Sequence, residues 1–425
     1  IPKAHHMGLP HRLTLALLPA ALHAQVWTAE TNTSTERGGS GVGVVGEKLY
    51  VVGGWGPVWG PTASMEMYDP STSQWRAGPS MSTQRSTLGV GVLDGKLYAV
   101  GGGFHSSCGW PGCADASMEV FDPSTNNWTA GPSMSASRAG LGVGVLGGKL
   151  YAVGGIGFNQ VHTLASMEVF DPSTNNWTTG PSMSAARLGP GVGVLGGKLY
   201  AVGGLAFNEE YTLASVEVYD PSTNKWAAGP SMSTSRQYPG VGVLGGKLYA
   251  MGGECEPDTM PSNCPGNFLG NMEVYDPLAN KWAAGLSMRE TRWMFGVGVL
   301  GEKLYAVGGN SGRTAINRVE AFIPAPPPPP VPTTNITWKT NNGRGSGTAV
   351  VAPRSTELVL DYNGAGSDHH YLYVCSLDEE RRLSSAVMAG YGQAKHCLPP
   401  NYCKGPQVKS GCSKASDGSL DCCFA

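Results

Sequence analysis

Charge is scarce in this chain. Charged residues make up 14% of its 425 positions, where about 25% is usual in globular proteins, and 29 Lys+Arg against 31 Asp+Glu leave a formal net charge of −2. That balance gives no basic footprint for nucleic acid or an anionic membrane surface. Long apolar runs are missing too. The stretch Leu13 to Leu22 is broken by Pro19 and is too short to cross a hydrocarbon layer of about 30 Å; no later stretch is long and apolar enough to anchor the chain. Between residues 25 and 323 the only histidines are His105 and His162, which disfavours a zinc site. The Gly-x-Gly strings have no helix signal after them, so a dinucleotide fingerprint is unsupported. Neither a cofactor nor a metal is expected. Glycine, by contrast, is plentiful at 62 residues, about twice its ordinary share of ~7%. It weakens helix interiors and serves turns and close backbone packing, so a helical protein is not expected.

Met7 is the first methionine, and it is followed by His11, Arg12, the short apolar run and the small residue Ala24, the layout of a secretory signal peptide. Residues 1–24 are therefore expected to be upstream residues and a signal peptide. The product should be secreted, extracellular or at the cell surface, without membrane insertion.

Six segments of the remainder read almost alike. Leu-Tyr-Ala-Val-Gly-Gly begins at Leu97, Leu150, Leu199 and Leu304, with close variants at Leu49 and Leu248. Periods near 50 residues point to a propeller or array. Arg37, Arg85, Arg138, Arg187, Arg236 and Arg292 are each separated by three residues from a following Gly-Val-Gly-Val string. Glutamate recurs at 66, 119, 168, 217, 273 and 320, and tryptophan at 27, 75, 128, 177, 226 and 282. The offset from Arg to the first Gly of the pair is 16 throughout, and from Trp to the next Arg it is 10 throughout. Only the step from that Gly to the Glu varies, at 13, 18, 14, 14, 21 and 12. Fixed strands with one free loop per unit follow from this.

Each unit reads as four short strands. Gly-Val-Gly-Val-Leu and Lys-Leu-Tyr-Ala-Val are joined by two-residue turns such as Gly147-Gly148 and Asp94-Gly95, which suit hairpins needing positive φ. After the variable loop comes Met-Glu-Val-Tyr/Phe, then Asp-Pro-Ser-Thr at Asp69, Asp122, Asp171 and Asp220, where the Asp side chain can cap a turn. The Trp strand closes the unit.

This set of Arg, Gly-Gly, Tyr and Trp resembles Kelch repeats over roughly residues 25 to 323. The last unit departs from the pattern, because Val319 to Pro324 runs into prolines with no Trp nine residues after its Glu. Trp27 stands ten residues before Arg37 with no Glu strand ahead of it. The resemblance implies an all-β fold, a six-bladed β-propeller, monomeric, whose N-terminal Trp strand completes the sixth blade and so removes free sheet edges.

Strand parity places the variable loops and the Trp-to-Arg connections on one face, and the Gly-rich hairpins and Asp-Pro-Ser-Thr turns on the other. Specificity usually sits on variable loops held by a rigid scaffold, so the first face is the candidate surface. It would hold Trp55 and Trp59 from the first unit, Phe104 and Trp110 from the second, and Phe158 and His162 from the third. Phe207, Glu209, Glu210 and Tyr211 come from the fourth, and Tyr238 and Trp293 follow two of the arginines. A ring formed by Arg37, Arg85, Arg138, Arg187, Arg236 and Arg292 beside aromatics and carboxylates could bind an anionic or sugar ligand; the alternative is that the arginines satisfy strand-end carbonyls as framework.

The ten cysteines divide evenly by region. Cys108 with Cys113 and Cys255 with Cys264 fall in the two longest variable loops, and two disulfides there would restrict the loops that most need it. Acceptor sequons occur at Asn32, Asn127, Asn176 and Asn335, usable after secretion. Residues 324–332 form a proline-rich linker expected to extend as polyproline II. Residues 333–425 read as a small disulfide-rich β module whose six cysteines allow 15 pairings.

The reading is that of a secreted binding protein recognising a glycan or extracellular protein through the variable-loop face. Secreted propellers that this chain resembles include copper-radical galactose oxidases and sialic acid mutarotases. A mutarotase-like role would draw on the Arg ring with Glu209 or Glu210, whereas the histidines needed for the copper-radical type are not distributed for it. A substrate receptor of the ubiquitin-ligase kind is a third alternative, drawn from the propeller alone.

Overall fold

In the computed structural model, side chains are described for residues 25–56, 60–103, 114–157, 163–206, 211–255 and 266–325; beyond these, only the backbone of strands between 334 and 424 is described. The expected signal peptide lies outside the described residues. The chain divides into two compact units, Ile1–Ala325 and Pro326–Ala425.

The first unit is a six-bladed β-propeller, each blade a four-stranded antiparallel sheet. The first blade runs Gly41–Val45, Lys48–Val52, Met65–Asp69 and Gln74–Gly78 from the axis outward. The third repeats it with Gly142–Leu146, Lys149–Val153, Met167–Asp171 and Asn176–Thr179, and the fourth with Gly191–Leu195, Lys198–Val202, Val216–Asp220 and Lys225–Gly229. In the sixth blade Gly296–Leu300, Lys303–Val307 and Val319–Ile323 are completed by the N-terminal strand Val26–Ala29. The pairing Val26↔Ile323 through Ala29↔Glu320 is the expected closure. Among the described residues there is no helix.

The glycines of the innermost strands explain how blades come so close. Gly41, Gly89, Gly142, Gly191, Gly240 and Gly296 face Val90, Val143, Val192, Val241, Val297 and Val42 of the next blade, and a Cβ on any of them would overlap that valine's Cγ2. Gly-Val alternation therefore makes one side of every inner strand a row of holes and the other a row of knobs. The hairpins that follow behave as their composition demands. In four of them both turn residues have positive φ, as at Asp94 (50°) and Gly95 (71°); at Gly46-Glu47 and Gly301-Glu302 only the glycine does.

Farther out, aromatic rings join neighbouring blades. The second-strand tyrosine of each blade meets the third-strand aromatic of the next at centroid distances of 5.6 to 6.0 Å, from Tyr50–Phe121 round to Tyr305–Tyr68. That aromatic packs in turn on its own blade's tryptophan, as in Phe170–Trp177 at 5.4 Å. The Nε1 of each of these six tryptophans donates across the blade boundary, Trp177 to Pro132 O at 2.9 Å and Trp27 to Leu286 O at 2.8 Å. Burial of each such large ring contributes about 1.5–3 kcal/mol.

The second unit holds an eight-stranded sheet. Its central strands Thr334–Thr340, Ser346–Val351, Glu357–Asn363, His370–Leu377 and Leu383–Ala389 pair antiparallel in sequence order. Leu420–Phe424 joins Thr334–Thr340 in parallel.

Candidate functional site

The recurring arginines are buried to 0–1% exposure. In each blade the guanidinium donates from Nη1 to the carbonyl of the glycine 16 residues on, Arg37 to Gly53 O and Arg138 to Gly154 O at 2.9 Å. Nη2 meets the recurring glutamate: Arg37–Glu66 at 2.9 Å, Arg85–Glu119 and Arg138–Glu168 at 3.2 Å, Arg187–Glu217 and Arg236–Glu273 at 3.0 Å, Arg292–Glu320 at 2.5 Å. The other carboxylate oxygen accepts from the chain arriving from the previous blade, as from Ser34 N and Ser135 N at 2.7 Å. Burial alone would raise these glutamates. Hydrogen bonds from the serines and the arginine outweigh it, so Glu66, Glu119, Glu168, Glu217 and Glu273 are all held below the ordinary carboxylate value.

This overturns the idea of Arg37, Arg85, Arg138, Arg187, Arg236 and Arg292 as a ligand-binding ring. Their charges are neutralised and their donors directed at backbone carbonyls. The arginines are framework: one buried pair per blade fixes the inner strand, the variable-loop base and the incoming connection together.

Two residues after each arginine, six backbones meet around the axis. Gly39, Thr87, Gly140, Gly189, Tyr238 and Met294 all have φ between 48° and 64°. Gly39 N donates to Met294 O, Thr87 N to Gly39 O, Gly140 N to Thr87 O, Gly189 N to Gly140 O and Tyr238 N to Gly189 O, at 2.7 to 2.9 Å. Thr87, Tyr238 and Met294 carry side chains in a conformation that costs of order 1–3 kcal/mol. The glycines make room for the large members: a Cβ on Gly189 would lie 2.7 Å from the Tyr238 ring, and one on Gly140 2.6 Å from its hydroxyl. Burial, with the nearby Glu254 charge, pushes the Tyr238 phenol strongly upward, and its Oη has no partner among the described residues.

Around this plug lies an aromatic patch. Trp293 stacks on Phe268 at 6.0 Å and meets Tyr238 edge-on at 6.3 Å, while its Nε1 donates to Gly312 O at 2.7 Å. Phe268 and Trp293 are half-buried. Gln237 Nε2 donates to Glu254 Oε2 at 3.0 Å beside them. Asn310 is fully buried, and neither amide atom has a partner among the described residues. Trp55 departs from its expected place at the surface: it is 7% exposed and packed over Gly38 and Gly39, where a Cβ on either glycine would overlap its ring. Tyr211 is half-buried in the short hairpin Leu205–Ala206 with Tyr211–Thr212.

Trp59, Phe104, Trp110, Phe158, His162, Phe207, Glu209 and Glu210 lie outside the described residues, as do Cys108, Cys113 and Cys264 and the side chain of Asn335. Cys255 is buried and disulfide-bonded. Asn32, Asn127 and Asn176 are exposed. Among the described residues no cluster of three His, Cys, Asp or Glu is placed to hold a metal. Sequence reasoning missed Phe268 and Asn310. Phe268 had a signal, being the one aromatic in the longest variable loop; Asn310 merely follows the sixth Gly-Gly.

A family model described as Kelch motif matches residues 36–82, 84–135, 137–184, 186–233, 235–288 and 292–325. Kelch-like protein 5 of Homo sapiens is 60% identical over 38 residues, which is 9% of this chain and 5% of that protein; the chain thus matches about a twentieth of that relative's length. The solved structure of YjhT is similar in fold, with a TM-score of 0.58 at 17% identity over 69% of this chain and 97% of that one.

Proposed function

This chain belongs to the Kelch-repeat family, whose motif recurs six times between residues 36 and 325, and from that premise we propose that it is a binding protein whose partner, an extracellular protein or glycan, seats on the variable-loop face. The observation carrying this reading is the half-buried pair Phe268 and Trp293 beside Tyr238 and Glu254. Rigid aromatics next to a polar group are the composition of binding hot spots, where ring faces supply area at low entropic cost. The opposite face carries no comparable cluster of aromatic rings among the described residues. The reading requires no catalytic group. The signal-peptide layout of residues 1–24 and the disulfide at Cys255 support an oxidising compartment.

The experiment is a screen of the purified chain on arrays of extracellular proteins and glycans, repeated with Phe268→Ala/Trp293→Ala. A specific partner should lose at least tenfold in affinity, while Ser173→Ala on the opposite face leaves binding intact. A partner that binds the double variant as well as the parent removes this face from consideration.

A further inference from the structure

Along the outer strands of the fourth and fifth blades a cleft of about 530 Å³ opens, running from the Asp220 turn to Pro230, within the 300–1,000 Å³ range of small-molecule sites. Its floor is a row across the fourth blade, Tyr200 opposite Val218 and Val218 opposite Ala227, and its far wall is Tyr275 with Asn280.

Three features of the chain coincide only at this boundary. The first is a phenol pair. Tyr200 and Tyr275 approach at 5.7 Å, and Tyr275 Oη donates to Asn280 Oδ1 at 2.8 Å; at the boundaries after the first, second and fifth blades the facing ring is Phe121, Phe170 or Phe322. The second is a missing side chain. Register puts Arg76, Thr129, Thr178 and Thr28 where the fourth blade has Ala227, so the space those side chains take up is left empty here. Ala283 of the fifth blade repeats the deletion but faces Phe322. The third is charge. Lys198 reaches Asp220 at 2.9 Å, and Lys225 stands beside Asp220 in register where the first three blades carry Gln74, Asn127 and Asn176. Among the described residues Lys225 has no ion-pair partner, so the rim keeps one ammonium beyond the neutral pair.

We propose that this cleft binds a small aromatic carboxylate, the ring lying between Tyr200, Val218 and Ala227 and the carboxylate meeting Lys225 at the rim. Val218 and Ala227 offer an apolar surface to a planar body, with the buried Tyr200 and Tyr275 rings packed behind it, and the surplus ammonium suits one negative charge. The site uses none of Phe268, Trp293, Tyr238 and Glu254 and does not depend on them.

Calorimetric titration of the full chain with 2-naphthoate and with neutral 2-naphthalenemethanol tests the assignment. Naphthoate should bind one site, and the alcohol at least tenfold more weakly. Ala227→Thr should weaken naphthoate at least tenfold without lowering the melting temperature, because Thr129 and Thr178 occupy the same position in intact blades. Lys225→Gln should weaken it about threefold and flatten its salt dependence. Absence of naphthoate binding, equal binding of the alcohol, or binding unchanged by both substitutions would overturn the proposal.

Discussion

Gly142 of the third blade is the hole into which Val192 of the fourth blade fits: a methyl group on the glycine would overlap the valine's Cγ2. Gly142→Ala is expected to destabilise the propeller by about 1–3 kcal/mol, the usual cost of overpacking. Val192→Ala should recover part of that loss in the double variant, because the two positions share one space. Gly147, in a hairpin turn with nothing within 4 Å, carries only its φ of 58°, so Gly147→Ala should show no rescue by Val192→Ala. Urea unfolding of the four variants decides between these outcomes.

Removing Arg138 leaves Glu168 buried and without its counter-charge. Arg138→Met should cost about 3–5 kcal/mol. Replacing both partners with apolar residues of similar volume should cost less than the single change, and a double variant as damaged as the sum of its parts would contradict the pairing.

Deletion of Gln25 to Ala29 takes away Trp27, which is 6% exposed, and the fourth strand of the sixth blade. Loss of one buried Trp alone is worth about 3–5 kcal/mol, so the melting temperature should drop by roughly 10 °C or more. An unchanged melt would mean that the closure does not hold the ring together.

Acid should act through the glutamates. Glu66, Glu119, Glu168, Glu217 and Glu273 titrate below their ordinary value in the folded chain, so folding releases their protons. Their contribution is whole above the unfolded value of 4.5 and is lost as pH falls through the lower folded values. Melting curves should be flat from neutral pH down to that value and drop steeply beneath it; a melt that holds steady down to about pH 3 would contradict the linkage.

Tyr238→Phe removes a buried hydroxyl that has no partner among the described residues. Such a group costs about 1–3 kcal/mol, so the variant should be as stable as the parent or more stable in a thermal melt. A clear loss of stability would show that the hydroxyl is hydrogen-bonded in solution.

Most of the architecture could be read from spacing alone. The Arg-to-Gly offset of 16 is the reach of a guanidinium to a carbonyl across a hairpin, and the orphan Trp27 announced the closing strand. The role of Glu66 and its counterparts was hidden, since whether a strand's glutamate faces its own blade's arginine depends on a register that repeat spacing does not state. The axial plug was hidden for a different reason. Thr87, Tyr238 and Met294 adopt positive φ that their side chains disfavour, and the run of backbone hydrogen bonds from Tyr238 round to Met294 that accompanies it joins residues of different blades. Trp55 looked like a surface aromatic because the slot that buries it is built from absent atoms, at Gly38 and Gly39.

The strand Val26–Ala29 must wait for Val319–Ile323. At about 5–20 residues per second the ribosome takes roughly 15–60 seconds to make the chain between them, and through that interval the nascent propeller is an open arc with an unpaired edge at each end. Such edges pair readily with strands of another chain. In a polysome carrying several copies, the sixth-blade edge of one chain faces the waiting N-terminal strands of its neighbours, so correct assembly depends on the intrachain encounter being faster than exchange between nascent chains.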